Sequence, residues 1–291
     1  MNMTSQRLDE VLSNWQQMPF DQKPQLVKTF TAGLNHETHL LKVGELGVVL
    51  KIFSHSQNTA IQAQSWGHNL GLAPKVLHAD LEVGFAIFDY LDAPTLSAET
   101  ITTPDIKSIA LGLRAMHGST HQLADISDFE ILSFCDQYLN NIKKHSPFIA
   151  DIHEQILPIL EMFLNDKTPW TTCHNDLVAE NCFVIDGQAQ FIDWEYAQRH
   201  NPWFDLAAII YYLELDAEQI KLLLSNYANG WDKFFDSTIF YSSQCALLWG
   251  DMLWHVDHYG EGHWNSLTEK WLNLHALANK LNITLGKRVI S

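Results

Sequence analysis

The sequence predicts an α+β protein in which a small β-rich N-terminal lobe precedes a large α-helical C-terminal lobe. Three observations support this prediction. The length of 291 residues is enough for about two domains. Alternation typical of strands is concentrated before residue 90, and helical spacing of apolar residues dominates after it. We therefore expect one lobe over residues 1–90 and the other over residues 91–291.

The N-terminal lobe is expected to hold two helices and five strands. Apolar residues at helical spacing between Leu8 and Trp15 predict an amphipathic helix at the start of the chain. A second helix should begin with Asn58 as its N-cap and end near Gly71, because Pro74 follows. The five strands are expected at residues 26–31, 38–43, 48–53, 76–78 and 85–90.

The C-terminal lobe is expected to be helical around one short β segment. Pro104 is typical of the first turn of a helix, and a helical pattern follows it directly. Further helices are expected over residues 129–144 and 151–165 and from residue 204 to the end of the chain. The β segment is expected over residues 170–193, with a two-residue hairpin turn at Asp186-Gly187.

The composition excludes several classes of function. The chain carries 18 basic and 34 acidic residues, a formal charge of −16, which argues against partners such as nucleic acids and anionic membranes and is compatible with a cationic ligand. The polar N-terminus lacks the apolar core of a signal peptide, and the apolar stretch at residues 206–213 is too short to span a membrane. The four cysteines form no CxxC pair. We therefore expect a cytoplasmic protein with reduced, mostly buried cysteines.

The hairpin turn predicts a metal site. If Asp186-Gly187 forms the turn, Asn181 lies opposite Ile192, one position from Asp193. Directly opposed residues in a hairpin are about 5 Å apart, so Asn181 and Asp193 should emerge side by side at its open end. An amide oxygen and a carboxylate are hard oxygen ligands of the kind that Mg²⁺ prefers.

A candidate catalytic residue precedes this hairpin. Asp176 lies in the loop that enters it, where a carboxylate could orient and deprotonate a hydroxyl group beside the metal. Taken singly, the His174-x-Asp176 pair is typical of a solvated loop, and Asp193 could simply end a buried strand. The combination favours a function. A metal-dependent hydrolase that uses His174, Asp176 and Asp193 is one alternative.

The motifs HNDLVAEN, IDWEYA and FDLA resemble those of the aminoglycoside phosphotransferase and choline/ethanolamine kinase superfamily. This resemblance implies a bilobal, protein-kinase-like fold and an ATP-dependent phosphotransferase. It implies that Asp176 is the catalytic base, that His174 stabilises the catalytic loop, and that Asn181 and Asp193 bind Mg²⁺. It also implies that Asp205 supports the loop, whereas the residues alone are equally consistent with a helix N-cap.

The resemblance assigns ATP to the N-terminal lobe. Lys51 in the segment VVLKIF would contact the α- and β-phosphates, although without the resemblance a lysine that faces outward from a half-exposed strand is the favoured interpretation. The turn that contains Gly33 and Asn35 would cover the phosphates. Adenine would meet the backbone of the connector residues Asp89, Tyr90 and Leu91.

One feature departs from the kinase pattern. Kinase folds normally pair the lysine of this strand with a glutamate on the next helix. The expected helix over residues 58–70 contains no acidic residue, and Gln62 and Gln64 are the nearest substitutes for a hydrogen bond to Lys51. This departure motivates a second alternative, a nucleotide-binding pseudokinase that catalyses no transfer.

Two aromatic segments are candidates for binding the phosphate acceptor. Aromatic faces and carboxylates together bind ammonium groups. The candidate residues are Trp194, Glu195, Trp249, Asp251 and Trp254. The alternative is that the tryptophans fill the core, since Trp249 and Trp254 are five residues apart and do not share one helix face well. His255 and His258 are three apart, but hydrogen-bonded or solvated histidines are a better interpretation than a transition-metal site.

The sequence therefore predicts a kinase that requires ATP and Mg²⁺ as cofactors and phosphorylates a small cationic alcohol. Choline and ethanolamine are the preferred acceptors, thiamine is plausible, and an aminoglycoside is the main alternative. The expected partner is this small molecule, and the sequence leaves the oligomeric state open.

Overall fold

A five-stranded antiparallel sheet follows the first helix, as the alternation in the sequence predicts. The strand order is β1-β2-β3-β5-β4. The strands are β1 (Gln25–Phe30), β2 (His36–Val43), β3 (Leu46–Phe53), β4 (Val76–Asp80) and β5 (Phe85–Asp89). Helix α1 (Met3–Ser13) precedes the sheet, and helix α2 (Asn58–Asn69) connects β3 to β4. The sheet therefore matches the expected strands to within a few residues.

The core beside the sheet follows from the two-residue period of β3. Alternate residues of that strand point to one face, so Leu50 and Ile52 are buried while Lys51 between them points to the other face. Leu8 and Val11 of α1 belong to the same apolar cluster, and Trp15 follows them in a short 3₁₀ turn. The amphipathic start of the chain thus covers one face of the sheet.

A hairpin much later in the chain contacts the segment that follows α2. It consists of β7 (Cys182–Ile185) and β8 (Gln188–Phe191), and Asp186 and Gly187 form its turn with φ of 50° and 75°. Positive φ at both positions is the geometry that an Asp-Gly pair favours. The Phe191 amide donates to the Leu72 carbonyl at 2.7 Å, which anchors the hairpin beyond the end of α2.

The structure is a computed structural model. It describes residues 3–30, 36–123, 126–142, 146–228 and 236–286 of the chain. It divides into two compact units. The first comprises Met1–Leu96 and Glu180–Ala197, and the second comprises Ser97–Ala179 and Gln198–Ser291. The first unit therefore takes in the hairpin in addition to the N-terminal segment. That residues 1–90 bind the nucleotide and residues 91–291 bind the acceptor stays a prediction.

The second unit is mainly helical, which confirms the expected fold class. Its helices are α3 (Thr103–His117), α4 (Ile131–Ile142), α5 (Pro147–Leu164), α6 (Trp203–Tyr212), α7 (Ala217–Ala228), α8 (Ser237–Tyr259) and α9 (Thr268–Lys280). The long helix α8 packs against α4, α5, α6 and α9 and forms the centre of the unit. In the parts of the chain that the structure describes, no helix has the length and apolar character needed to cross a membrane.

Local signals set the ends of several of these elements. Thr102 and Asp105 form a reciprocal capping box at the start of α3, and Pro104 lies in the first turn, as predicted.

The strand β9 (Gln198–His200) pairs with β6 (Thr171–Cys173) and was not predicted. A strand of three residues is too short to show a period in sequence.

All four cysteines are buried free thiols, as the absence of a CxxC pair predicts. Burial raises the pKa of the Cys135 and Cys245 thiols to about 12. These side chains therefore act as small apolar groups in the core.

Candidate active site

The open end of the hairpin carries the first pair of predicted site residues. The Ile192 amide donates to the Asn181 carbonyl at 3.1 Å, so Asn181 lies opposite Ile192 as the turn predicts. Asp193 follows with φ 65° and ψ 62°, a left-handed conformation that is uncommon for a residue with a side chain. The chain leaves β8 through this residue and enters the 3₁₀ turn Trp194–Tyr196. Asn181 and Asp193 thus lie at the same end of the hairpin.

Lys51 pairs directly with Asp193. The Lys51 ammonium lies 2.6 Å from an Asp193 carboxylate oxygen, and the two side chains are 16% and 35% exposed. The residues alone favoured a lysine that faces outward from a half-exposed strand; Lys51 does lie on the face opposite Leu50 and Ile52, and its ammonium is paired there with Asp193. Because both groups are partly exposed, a ligand can reach each of them.

Helix α2 does not supply a substitute for the absent glutamate. Gln64 is buried, and its amide donates to the Pro74 carbonyl at 2.7 Å, so it holds the end of α2 rather than Lys51. Gln62 is exposed. The expectation that one of these glutamines bonds Lys51 is therefore wrong for Gln64. The carboxylate that neutralises the lysine belongs to Asp193.

The donors at the hairpin end fit Mg²⁺. Asp193 offers a partly exposed carboxylate and Asn181 a side-chain amide, both of them hard oxygen donors. Mg²⁺ usually takes only one or two protein ligands and completes its shell with water and phosphate oxygens. Two residues at one end of a hairpin meet this requirement.

Glu195 binds a histidine of the sheet. The His36 ring nitrogen Nε2 lies 2.9 Å from Glu195 Oε2, and the Ser54 amide donates to His36 Nδ1 at 3.2 Å. The side-chain nitrogen of Gln57 also lies 3.1 Å from His36 Nε2. The sequence assigned Glu195 to the acceptor, whereas the structure uses its carboxylate to tie the segment after Asp193 to the start of β2.

Other nucleotide-binding candidates are only partly described. Gly33 and Asn35, expected to cover the phosphates, lie outside the described residues. In the connector, the Asp89 amide donates to the Lys75 carbonyl at 3.0 Å and the Tyr90 amide to the Gly47 carbonyl at 3.3 Å. Leu91 follows and is partly buried.

Trp194 is a packing residue. Its ring is 2% exposed, and a Cβ added to Gly67 of α2 would lie 2.6 Å from its Cζ2 atom. The Trp66 ring meets it edge-on at 6.1 Å. Trp194 therefore offers no face to an acceptor, and it couples α2 to the Asp193 segment by contact.

In the second unit, Asp205 holds the loop that carries Asp176. It is fully buried, and its two carboxylate oxygens accept the backbone amides of His174 and Asn175, each at 2.8 Å. The His117 ring lies 3.1 Å from the same carboxylate. Asp205 is the third residue of α6, where Pro202 is the N-cap, so the N-cap interpretation is wrong.

The charge of Asp205 is stabilised by these donors. Burial by itself raises the pKa of Asp205, but the hydrogen bond from His117 and the charges of His117 and His174 outweigh it and lower that pKa. An ionised carboxylate accepts hydrogen bonds more strongly than a neutral acid. The ionised carboxylate of Asp205 thus holds the loop that carries Asp176.

A second buried histidine holds the middle of the loop. Asn175 has a positive φ of 64°, and its side-chain oxygen lies 2.9 Å from His200 Nδ1. Burial lowers the pKa of His200 to about 3, so the ring stays neutral and Nδ1 carries the proton donated to Asn175. His174 is itself buried, and its Nδ1 accepts the Asp176 amide at 3.3 Å. Asp176, unlike His174 and Asn175, is partly exposed.

His117, Cys173 and Asp205 lie close enough together to resemble a metal site, with ligand atoms within 4.8 Å. Each Asp205 oxygen already accepts a backbone amide. Burial raises the pKa of the Cys173 thiol well above its usual range, which disfavours the thiolate that a metal needs. This group is therefore a structural hydrogen-bonded cluster.

The remaining acceptor candidates lie on α8. Trp249 is fully buried, and its indole N–H donates to His153 Nδ1 at 2.9 Å. Trp254 and Asp251 are partly exposed. A pocket of three tryptophan faces is therefore not what the structure shows, because Trp194 and Trp249 both belong to the core.

Asp251 contacts residues that the sequence reasoning did not single out. The Tyr212 hydroxyl donates to it at 3.0 Å, and Lys270 forms an ion pair with it. Burial raises the pKa of Tyr212, and the charges of Asp251 and, more weakly, Asp176 add to this effect. The charges of both carboxylates therefore contribute to the raised pKa of Tyr212.

The sequence did not indicate several residues that contact the candidate site residues, because each of these contacts joins positions that are distant in sequence. These residues are His36, His117, His200, Tyr212 and Lys270. None lies in a motif, and each interacts with a residue at least 19 positions away. Isolated histidines and lysines carry no local signal of this kind.

Comparison with known proteins identifies the family of the chain. The model of a family described as "Phosphotransferase enzyme family" matches residues 27–234. Protein LicA of Haemophilus influenzae is 28% identical over 193 residues, which is 64% of this chain and 71% of that protein. A second Haemophilus influenzae LicA sequence is matched over 62% of its length, so the chain spans about two thirds of these relatives.

Solved structures share the fold. The choline kinase LicA from Streptococcus pneumoniae has a TM-score of 0.76 at 20% identity, covering 94% of this chain and 99% of that one. A choline/ethanolamine kinase family protein from Mesorhizobium loti has a TM-score of 0.70 at 19% identity, covering 94% of each chain. At these identities the likeness shows the fold, while the family match spans most of the chain. The family match covers more than half of the chain, so the chain belongs to the phosphotransferase enzyme family, and its fold is protein-kinase-like.

Proposed function

We propose that this protein transfers the γ-phosphate of ATP to the hydroxyl group of a small cationic alcohol, with choline and ethanolamine as first candidates. The observation that carries the proposal is the catalytic loop, in which Asp205 and His200 hold the backbone around a partly exposed Asp176. Relatives support the acceptor class, since the similar LicA of Streptococcus pneumoniae is described as a choline kinase. A structure of LicA in complex with AMP supports the nucleotide.

The first unit would bind the nucleotide. Asn181 and Asp193 would hold Mg²⁺, which when bound neutralises charge on the β- and γ-phosphates. Lys51 would donate to the α- and β-phosphates. In the absence of ligand its ammonium forms an ion pair with Asp193, so each of the two charges has a partner until the nucleotide binds. The connector Asp89-Tyr90-Leu91 and the turn at Gly33 and Asn35 are the proposed contacts to adenine and to the phosphates.

Asp176 would act on the acceptor. Its carboxylate accepts the hydroxyl proton as the acceptor oxygen forms a bond to the γ-phosphorus. The bond from that phosphorus to the bridging oxygen breaks, and its electron pair leaves with ADP. A loop with a fixed backbone reduces the cost of aligning the hydroxyl for this step.

The charge of the chain supports a cationic acceptor. The net charge is −16, and the second unit carries a partly exposed carboxylate, Asp251, beside the ring of Tyr212. A cation that is held by a carboxylate and an aromatic face gains about 2 kcal/mol when it is desolvated. Trp254 is partly exposed on the same helix.

The test is an ATP-consumption screen over choline, ethanolamine, thiamine, aminoglycosides and uncharged sugars. We expect turnover with choline or ethanolamine, and weaker apparent binding of the neutral choline isostere dimethylbutanol, in which a carbon atom replaces the nitrogen. Asp176→Asn should lower kcat about thousandfold while the affinity for ATP with Mg²⁺ changes little, because Asp176 acts on the acceptor.

The control variant is Asp186→Asn, since Asp186 is an exposed turn residue and asparagine suits the same positive φ. Turnover of uncharged sugars alone would refute the cationic acceptor. Preference for an aminoglycoside would support the alternative acceptor class, and ATP binding without turnover of any acceptor would indicate a pseudokinase. A cytoplasmic location, where ATP is available, stays a prediction.

A further inference from the structure

A lysine ammonium occupies an enclosure between three helices of the second unit. Lys270 on α9 forms an ion pair with Asp251 on α8, and its ammonium lies 3.1 Å from His255 Nε2 on the same helix as Asp251. Tyr212 at the end of α6 donates its hydroxyl to the other Asp251 oxygen at 3.0 Å. The Lys270 ammonium also lies 6.0 Å from the centre of the Tyr212 ring. A carboxylate, an imidazole and an aromatic ring thus surround one internal cation.

Asp251 needs a cation in this position. Burial by itself raises the pKa of Asp251, but the hydrogen bond from His255 and the charge of Lys270 outweigh burial and lower it. A carboxylate that is only 16% exposed is costly to leave ionised without a positively charged partner. Any cationic ligand that binds to Asp251 must therefore compete with Lys270.

The enclosure is open to solvent, and the charge of the candidate base acts on one of its residues. The Lys270 side chain is 21% exposed and His255 is 23% exposed, so the group opens to solvent. The charge of Asp176 contributes to the raised pKa of Tyr212, the residue whose hydroxyl binds Asp251. A carboxylate with an aromatic ring is the chemistry that recognises an alkylated ammonium group.

We propose that Lys270 is an internal cation that occupies the ammonium position of the acceptor on Asp251 and is displaced when a cationic acceptor binds. This inference rests on the proposed function. It implies that Lys270 sets the affinity of the protein for charged acceptors. The ammonium of the acceptor then replaces the lysine on Asp251, and Lys270 turns to solvent on its flexible stem. The lysine keeps the carboxylate neutralised while the site is empty.

The inference predicts different responses of charged and neutral acceptors to Lys270→Met. Methionine keeps much of the stem volume and removes the charge, so choline no longer competes with an internal cation. The KM for choline should fall about tenfold, while the KM for its neutral isostere, dimethylbutanol, should change by less than about twofold. Lys270→Arg keeps the charge and should not lower the KM for choline.

Lys280 provides the matched control. It is an exposed lysine on the same helix, and Lys280→Met makes the same change of charge. This variant should leave the KM for both acceptors unchanged. An equal change of KM for choline and its neutral isostere in Lys270→Met would indicate a purely structural ion pair and overturn the inference, as would a raised KM for choline.

A measurement on the wild-type protein covers the case in which Lys270→Met fails to fold. Saturating choline should raise the rate at which an amine-acylating reagent modifies Lys270, because displacement from Asp251 exposes the amine to solvent and to the reagent. Protection of Lys270 by choline would overturn the inference. Saturating dimethylbutanol should leave the rate unchanged.

Tetramethylammonium separates this inference from the proposed function, because it carries the cation without a hydroxyl group. If the wild type phosphorylates no small cationic alcohol, the proposed function fails. Calorimetric titration with tetramethylammonium then still tests Lys270. Binding about tenfold tighter in Lys270→Met than in the wild type supports the internal cation, and equal or weaker binding overturns it.

Discussion

Asp193 and Asp205 lie twelve positions apart in the same stretch of sequence, but their surroundings differ. Asp193 is 35% exposed and forms an ion pair with Lys51. Asp205 is fully buried and accepts two backbone amides in addition to the His117 ring. A carboxylate that is saturated by buried donors has no capacity for a ligand, whereas a partly exposed one beside a lysine can exchange partners. Burial and donor number thus separate a structural aspartate from one that can bind a ligand.

Asp193→Asn should lower activity as much as Asp176→Asn does. We expect kcat to fall about thousandfold, equivalent to about 4 kcal/mol, because the proposed site loses the charge that holds Mg²⁺. Stabilisation of the fold by ATP with Mg²⁺ should disappear, while unfolding of the ligand-free protein changes by less than about 1 kcal/mol, as is usual for an exposed ion pair. Thermal unfolding with and without the nucleotide measures both. Undiminished stabilisation by the nucleotide would contradict the assignment of Asp193.

Asp205→Asn should have the largest effect on stability. The substitution replaces one accepting oxygen with a donor that faces backbone amides, so we expect a loss of about 3 kcal/mol in the free energy of unfolding. Urea unfolding measures this loss. Asp186→Asn makes the same chemical change at the exposed turn and should be nearly neutral. Equal stabilities for the two variants would remove the contrast between Asp193 and Asp205.

Gly67→Ala tests how the Asp193 segment is held. The new Cβ would lie 2.6 Å from Trp194, which must move, and we expect a loss of about 2 kcal/mol in the free energy of unfolding. Affinity for ATP with Mg²⁺ should fall too, because Trp194 directly follows Asp193. Gly262→Ala is the control, since no atom lies within 4 Å of its added Cβ. Unchanged nucleotide affinity in Gly67→Ala would show that this contact does not position Asp193.

Acid should destabilise the protein in part through His200. Its pKa is lowered by burial to about 3 in the folded protein, against an ordinary pKa of 6.5 for an exposed ring. Between these values the unfolded chain binds the proton and the folded chain does not, so stability falls as the pH falls from 6.5 towards 3. Each pH unit in this window costs up to about 1.4 kcal/mol for this one group.

His200→Asn checks this contribution. Asparagine can still donate to Asn175 but does not titrate, so the decrease in stability between about pH 6.5 and about pH 4 should be shallower in the variant by up to about one proton. Urea unfolding at a series of pH values measures the slope. An unchanged slope would mean that His200 is not the titrating group.

Local signals in the sequence predicted much of the site. The Asp186-Gly187 pair predicted the hairpin register, which brings Asn181 and Asp193 to one end. The resemblance implied that Asp205 supports the loop around His174 and Asp176, and Asp205 accepts two backbone amides of that loop, whereas the catalytic role of Asp176 stays a prediction. The predictions of the register and of the loop support succeeded because turn chemistry and short motifs depend on residues that are neighbours in the chain.

Long-range partners could not be predicted. The sequence assigned Glu195 to the acceptor, but its carboxylate meets His36, 159 positions earlier. It offered Gln64 to Lys51, but the buried Gln64 amide bonds Pro74. It counted Trp249 as a pocket wall, but that ring lies in the core against His153. In each case the side chain type was compatible with both environments.

The sequence by itself determined the order of most strands and helices, the hairpin register and the family, because these depend on local periodicity, turn geometry and a contiguous motif. Only the tertiary structure decided which charges are neutralised and by which partner. It paired Lys51 with Asp193, and it filled the enclosure around Asp251 with Lys270. The physical reason is that the free energy of a charge depends on its burial and on all the donors around it, and packing brings those donors together from distant parts of the chain.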